Sequence, residues 1–297
     1  MEKIAGTKPL FRDKKRRVWE VDFLRGFAVL AMCFDHFMYD CSHPRDFFSN
    51  FYDVTNAFAE KLYTFASWYW KSSNDYITGF RFWGHAVFIF LFLFLVGTSC
   101  AFSRDNAKRG AQIGVAAFVF TGITFVLKVM GIMTYGVVFG ILHCIALSVL
   151  ICAAVDNLTK FNKYVNKYAP LVIGVIILAF GIYFKSWEQL LYDGSGHRLF
   201  EYEFVDEHFL GYIFGTHAFG DDWFGLFPYL GFVFLGIYWG RAAYPTRQSL
   251  LPRLNGKWNK PFTFVGRHAL LTYFFHQVVI AGLIMLVGLC LGYSLTI

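Results

Sequence analysis

Charge is what this chain has least of. Asp, Glu, Lys and Arg make up 16% of its 297 residues, whereas 57% are hydrophobic and 21% aromatic, with 37 phenylalanines. That balance argues against a soluble core of this size and for a polytopic membrane protein. Cysteine is sparse too. The six (Cys33, Cys41, Cys100, Cys144, Cys152 and Cys290) form no CxxC and mostly lie inside apolar runs. They suggest neither a disulfide framework nor a zinc site, and no metal is expected. Cys41 and Cys290 can both approach the outer surface, but a bond between them is not expected. Internal repeats, low-complexity tracts and a soluble domain are all missing, so residues 1–297 read as one transmembrane domain. No small-x-small cleavage site follows Lys14-Lys15-Arg16-Arg17, so the first apolar segment reads as an uncleaved anchor behind a basic N-terminus, residues 1–17.

What is present is a series of apolar runs long enough to cross a bilayer. Seven are expected, near 18–40, 80–103, 110–130, 133–155, 168–186, 223–244 and 264–293. The third and fourth join tightly around Gly131, and the seventh is long enough to tilt or bend. The fold class is therefore all-α, a polytopic membrane helix bundle. With the N-terminus cytoplasmic, 20 of the 27 Lys and Arg fall on the inner side with six acids, leaving seven bases and 14 acids outside. The excess of inner bases predicts an N-in, C-out chain. Two outer segments, 41–79 and 187–222, exceed simple connectors. In the first, Val54, Phe58, Leu62 and Phe65 stand at helical spacing before Trp68, Tyr69 and Trp70, which predicts an interfacial helix with an aromatic anchor. The second is acidic and Gly-rich, with His197, His208 and His217, and reads as a solvated loop.

The first span carries groups that a lipid-facing helix avoids. Asp22, Arg25, Asp35 and His36 lie within Asp22-Phe-Leu-Arg-Gly-Phe-Ala-Val-Leu-Ala-Met-Cys-Phe-Asp-His-Phe37. Arg25 and His36 are eleven positions apart, so at 100° per residue they return to nearly one face, roughly 16 Å apart along the axis. Asp22, Val29, Met32 and Asp40 share that face. Ionisable groups inside a span usually face a bundle interior or a wet cavity. The alternative is an Asp22–Arg25 pair at the interface and a His36 that only packs. His143 and His276 are expected mid-span, His85 near the outer end of the second span, and Asp221 and Asp222 just outside the sixth. Several histidines in separate spans suggest a shared polar pathway.

At these residues the chain resembles a known family. Arg25-x10-His36 resembles the Arg/Lys-x10-His signature of membrane acyltransferases. The order Trp19-Glu-Val-Asp-Phe-Leu-Arg-Gly26, Phe139-Gly-Ile-Leu-His143, Gly266-Arg-His268 and His276-Gln277 resembles the bacterial heparan-alpha-glucosaminide N-acetyltransferase catalytic-domain family. Leu95-Val-Gly-Thr-Ser99 and Phe227-Pro-Tyr-Leu-Gly231 extend the likeness over nearly the whole chain. The resemblance implies transfer of an acetyl group from cytosolic acetyl-CoA to an extracytoplasmic glycan or amino-sugar acceptor, in a bacterial plasma membrane. The lipid bilayer is the other partner, and no nucleic acid is implied. In the heparan branch the catalytic histidine is assigned to the first extracytoplasmic loop, where this chain has His43, with His85 just beyond.

The expected base or nucleophile is His36, whose stripe connects it to the cytoplasmic side, with His85 and His43 as alternatives. Asp40, one turn on, or Asp35, beside it, is expected to orient its ring. Coenzyme A is polyanionic, so Arg25, Arg109 and Arg267 are expected to hold it, with His143 and His276 lining its path. Arg104 and Lys108 add cations on the same side. Two rival classes are a b-type haem protein, with imidazoles as axial ligands, and a transporter without chemistry. The first leaves the Arg25 stripe unexplained, and the second lacks the inverted repeat expected of transporters.

Overall fold

The computed structural model describes residues 17–71, 79–131, 136–184, 209–215 and 222–296. Most of the expected acidic outer loop, with His197, His208, His217 and Asp221, lies outside the described residues, as does the basic run before Arg17. Ten α-helices are described: α1 Trp19–Ser42, α2 Ala57–Lys71, α3 Phe80–Phe102, α4 Asn106–Val129, α5 Ile141–Thr159, α6 Lys163–Phe184, α7 Phe209–Phe214, α8 Tyr229–Ala243, α9 Lys260–Arg267 and α10 Ala269–Cys290. Among the described residues there is no strand, only two isolated antiparallel bridges, Phe48–Leu295 and Gly140–Trp223. The protein is an all-α, multi-pass integral membrane protein.

Local chemistry sets the helix starts. Asn56 Oδ1 accepts from the amides of Phe58 and Ala59 at the start of α2. Asp105 does so from Lys108 at α4, and Asn162 from Tyr164 and Val165 at α6. These side chains satisfy amides that the first helical turn leaves without intrahelical partners. Inside α6, Pro170 has no N–H, so the carbonyl four residues earlier, Asn166, loses its helical donor. Arg241 at the end of α8 supplies one, and its other nitrogen pairs with Asp156 of α5.

Among the described residues, five helices are long and apolar enough to cross a membrane: α3, α4, α5, α6 over Lys163–Gly181, and α10. The expectation of seven is thus only partly met. α1 has the length, at 24 residues, but carries Glu20, Asp22, Arg25, Asp35 and Asp40. α8 has the apolarity but only 15 residues, roughly 22 Å against a hydrocarbon core of about 30 Å. The fourth and sixth spans were expected to begin at 133 and 223; their helices begin at Ile141 and Tyr229. One interaction shortens both. Phe224 donates its amide to the Phe139 carbonyl at 3.1 Å beside the Gly140–Trp223 bridge, and Leu226 and Phe227 donate to Ile213 and Phe214. This irregular backbone is covered by protein, since Trp223, Phe224 and Leu226 are all buried, which is the condition for non-helical chain at membrane depth.

Short α8 is the centre of the bundle. Leu230, Val233, Phe234 and Ile237 pack with Leu93, Val96 and Cys100 of α3, Ala117 of α4, and Leu142, Ile145 and Val149 of α5. A Cβ on Gly97 of α3 would lie 1.9 Å from the Val233 carbonyl oxygen, and one on Gly236 equally close to that of Phe94. Only hydrogen fits where these backbones touch, the small-residue contact expected between helices in lipid.

The anticipated bend in the last span is real. The chain breaks at His268, separating α9 from α10. α2 also forms as expected, although it begins after Val54. Phe58, Phe65 and Trp68 remain exposed, while Ala66 and Tyr69 pack on Met38 and Cys41 of α1. All six cysteines are free.

Candidate active site

α1 and the α9–α10 pair meet through glycines. A Cβ on Gly266 would lie 1.8 Å from the Asp22 carbonyl oxygen, and one on Gly26 would lie 1.9 Å from that of Phe262. That contact fixes the relative height of the two elements and creates two polar clusters along α1.

The first cluster is built at the crossing. Arg25 donates to the Gly266 carbonyl at 3.1 Å, to Asp22 Oδ1 at 3.4 Å and to the Ser99 hydroxyl of α3. Arg267 donates through Nε to Asp22 Oδ2 at 3.2 Å. One carboxylate therefore serves two guanidinium groups, and the cluster keeps a net positive charge. Arg109 adds to it, its Nη1 lying 3.9 Å from Cys100 Sγ, next to Ser99. The Asp22–Arg25 pair of the alternative reading is present, but as part of a three-helix knot. Side-chain exposure is 18% for Arg25 and 43% for Arg267. Arg25 spends its donors on holding α1, α3 and α9 together, and Arg267 is the more available to an anion.

The second cluster sits about 16 Å along α1. His36 and His276 pack edge to face with ring centroids 4.9 Å apart. His36 Nδ1 lies 3.0 Å from the Met32 carbonyl oxygen and His276 Nδ1 lies 2.6 Å from that of Tyr273. A carbonyl only accepts, so each contact places the proton on Nδ1 and leaves the lone pair of the neutral ring on Nε2. His276 Nε2 is buried with no hydrogen-bond partner among the described residues.

The residues expected to orient His36 do otherwise. Asp35 takes a two-pronged contact from Arg81 of α3, at 2.8 Å on each oxygen, and a hydroxyl from Tyr69 at 3.0 Å. The Arg81 guanidinium also stacks 3.5 Å over the Trp70 ring. Burial first, then the Asp35 carboxylate, pushes the Tyr69 phenol up, which keeps it protonated as a donor. Asp40 accepts from Gln277 Nε2 at 2.8 Å. Adjacent helical positions point about 100° apart, so Asp35 faces α3 while His36 faces α10. Of the alternatives, His85 lies within electrostatic reach of His36, Asp35 and Arg81. His43 sits beyond the cluster, its Nδ1 against the Tyr39 carbonyl and the Ser42 hydroxyl.

His143 is a correction. Expected mid-span, it occupies the first turn of α5, where Nδ1 accepts the Gly140 amide at 3.3 Å and Nε2 meets Thr121 at 3.2 Å. Nδ1 thus helps start that helix, and Nε2 ties it to α4. Near it, Tyr273 donates to Asp222 at 2.6 Å. The sequence marked Tyr69 only as part of an aromatic anchor and singled out neither Arg81 nor Tyr273. Arg81 alone left a signal, as an arginine at the head of an apolar run.

With this geometry in place, the comparison with protein families is decisive. The family model described as "Heparan-alpha-glucosaminide N-acetyltransferase, catalytic" matches residues 17–67 and 54–278. The chain belongs to that family. It is by family a membrane acetyltransferase, a class that uses an acyl donor and a glycan acceptor, and the haem and transport readings lose their footing. Both clusters fall within the matched residues. No curated protein and no solved structure matches the chain. Among the described residues, no group of three or more His, Cys, Asp or Glu is arranged to hold a metal ion.

Proposed function

We propose that the protein transfers an acetyl group from cytosolic acetyl-CoA to an amino-sugar or glycan acceptor on the other side of a plasma membrane. The observation that carries this reading is the pairing of α1 with α9–α10. The same two elements build an excess of positive charge at one level and facing imidazoles at the other.

Each end suits its part of the reaction. Arg267, Arg25 and Arg109 match the phosphates of coenzyme A, with Arg267 the most accessible and Arg25 also holding the helices that frame the entry. The extended arm of the donor then places its thioester toward His36. There the acceptor nitrogen or hydroxyl oxygen attacks the thioester carbonyl, forming the new C–N or C–O bond as the C–S bond breaks. His36 Nε2 takes the acceptor's proton, and coenzyme A leaves as the thiolate, which the same proton can neutralise. The covalent variant has His36 Nε2 attack first and pass the acetyl group on. Asp40, held by Gln277, offers a carboxylate to an amine-bearing acceptor, while Asp35 and Arg81 brace α1 against α3. His276 walls the reacting end, and His143 holds the start of α5.

Two results are expected. In coenzyme A calorimetry, Arg267→Ala and Arg25→Ala weaken binding by about 10- to 100-fold, the range of a charge-assisted hydrogen bond. Lys163→Ala, at the start of α6, has little effect. Equal, negligible losses in all three would reject the phosphate site. In a cysteine-free background, a single cysteine at Ala107 reacts with an impermeant thiol reagent from the cytoplasm, and one at Asp53 from outside. The reverse pattern would invert the proposed route.

A further inference from the structure

A cavity of about 180 Å³ lies beside the second cluster, between the end of α1, α2 and the far half of α10. Its walls include Leu62, Ile284 and Val287, its floor Phe48 and Tyr293, and its one acid among the described residues is Asp40. The floor is held in place because the chain end returns to the loop after α1: Ser49 donates to the Ser294 carbonyl at 3.0 Å and Thr296 to that of Phe47 at 2.9 Å. Leu283 and Val287, on the rim, are 55% and 47% exposed on a helix apolar enough to span a membrane. The cavity therefore opens on the surface of α10 that meets lipid and closes at the polar cluster. An engineered apolar cavity of about 150 Å³ stays dry and binds a small hydrocarbon, so this one is large enough for part of a chain.

The polar end is specific in kind. Asp40 Oδ2 takes the Gln277 amide, and Oδ1 has no donor among the described residues. Gln277 Oε1 is buried without a partner among the described residues. Two acceptors thus lack donors at the closed end of the slot, one on Asp40, which lines it one helical turn from His36, and one on Gln277, hydrogen-bonded to Asp40. Such an end suits a head rich in N–H and O–H groups. It opposes a phosphate, whose charge would face the Asp40 carboxylate. We propose that the acceptor is an amphiphile, an amino sugar carried on a hydrocarbon chain, with the chain in this cavity and its amine and hydroxyls at Asp40 and Gln277. This rests on the acetyltransferase reading above and narrows its substrate class. A chain held there would bring the sugar to His36 from within the membrane plane.

The test compares free glucosamine with its octyl glycoside as acceptors for the detergent-solubilised protein. Val287→Trp is expected to lower the ratio of kcat/KM for the octyl glycoside to that for glucosamine by about ten-fold, comparable to losing two buried methylenes. Val279→Trp, exposed on the same helix but not lining the cavity, should leave the ratio unchanged. In parallel, an octyl glucosaminide with a diazirine at the chain end should crosslink within residues 44–63 and 283–293. Excess octyl glucosaminide should compete it away and a phospholipid should not. Labelling scattered along α10, or lost equally to phospholipid, would overturn the proposal as ordinary lipid contact, even if glucosamine is acetylated normally. Competable labelling at the cavity with no transfer to either acceptor would uphold the cavity and remove the acetyltransferase reading.

Discussion

His36→Ala should lower single-turnover acetyl transfer by about 10²–10⁴-fold, the usual contribution of a positioned general base, and by more if the histidine carries the acetyl group. Coenzyme A binding should stay within a few-fold of normal, because the phosphate cluster lies roughly 16 Å away along α1. The contact between His36 Nδ1 and the Met32 carbonyl is the reason for the assignment: it turns Nε2 into the basic nitrogen without help from a carboxylate. His276→Ala should cost less, since its ring packs on His36 and need not exchange a proton. His143→Ala should affect thermal stability before the chemical step, because its nitrogens hold Gly140 and Thr121. The comparison is made on variants first shown by thermal melting to be folded. Near-normal transfer by folded His36→Ala protein would remove it from the mechanism and leave His85 as the next candidate.

The second large effect concerns stability. Arg81 is nearly buried, sits over Trp70 and binds both oxygens of Asp35. Arg81→Leu leaves that carboxylate without its counter-charge, and breaking a buried pair from one side typically costs about 3–5 kcal/mol. Asp35→Leu should be comparably damaging, since it strands the guanidinium. The double variant, Asp35→Leu with Arg81→Leu, removes both charges and should recover most of the loss, because the desolvation penalty goes with them. Melting temperatures of the three variants in one detergent check this. Additive losses in the double variant would show that the two residues do not act as a pair.

The contrast between His36 and Asp35 shows what could be read from the chain. The Arg25–His36 stripe was legible because it depends only on helical periodicity within one segment. The interfacial helix was legible for the same local reason, and the length of the seventh apolar run announced a tilt or bend without placing it at His268. Asp35's partner was not, since Arg81 is 46 positions away and only the packing of α3 on α1 brings it near. Nor were the late starts of α5 and α8, because hydropathy sees Phe139 and Phe224 as span residues and is blind to the backbone bond between them. His143 was misread for that reason: a histidine in an apolar run looks mid-span until the helix is found to begin two residues before it, at Ile141. The glycine crossing at Gly26 and Gly266 was quoted within the family-like motifs, but its purpose, bringing Arg25 and Arg267 to one carboxylate, appears only in three dimensions.

The central claim is that one donor molecule spans the two clusters. An electron cryomicroscopy map of the protein with coenzyme A tests it most directly. Density is expected with the phosphates beside Arg267 and Arg25 and the sulfur directed toward His36. Phosphates at the His36 level, or coenzyme A bound away from α1 altogether, would contradict it.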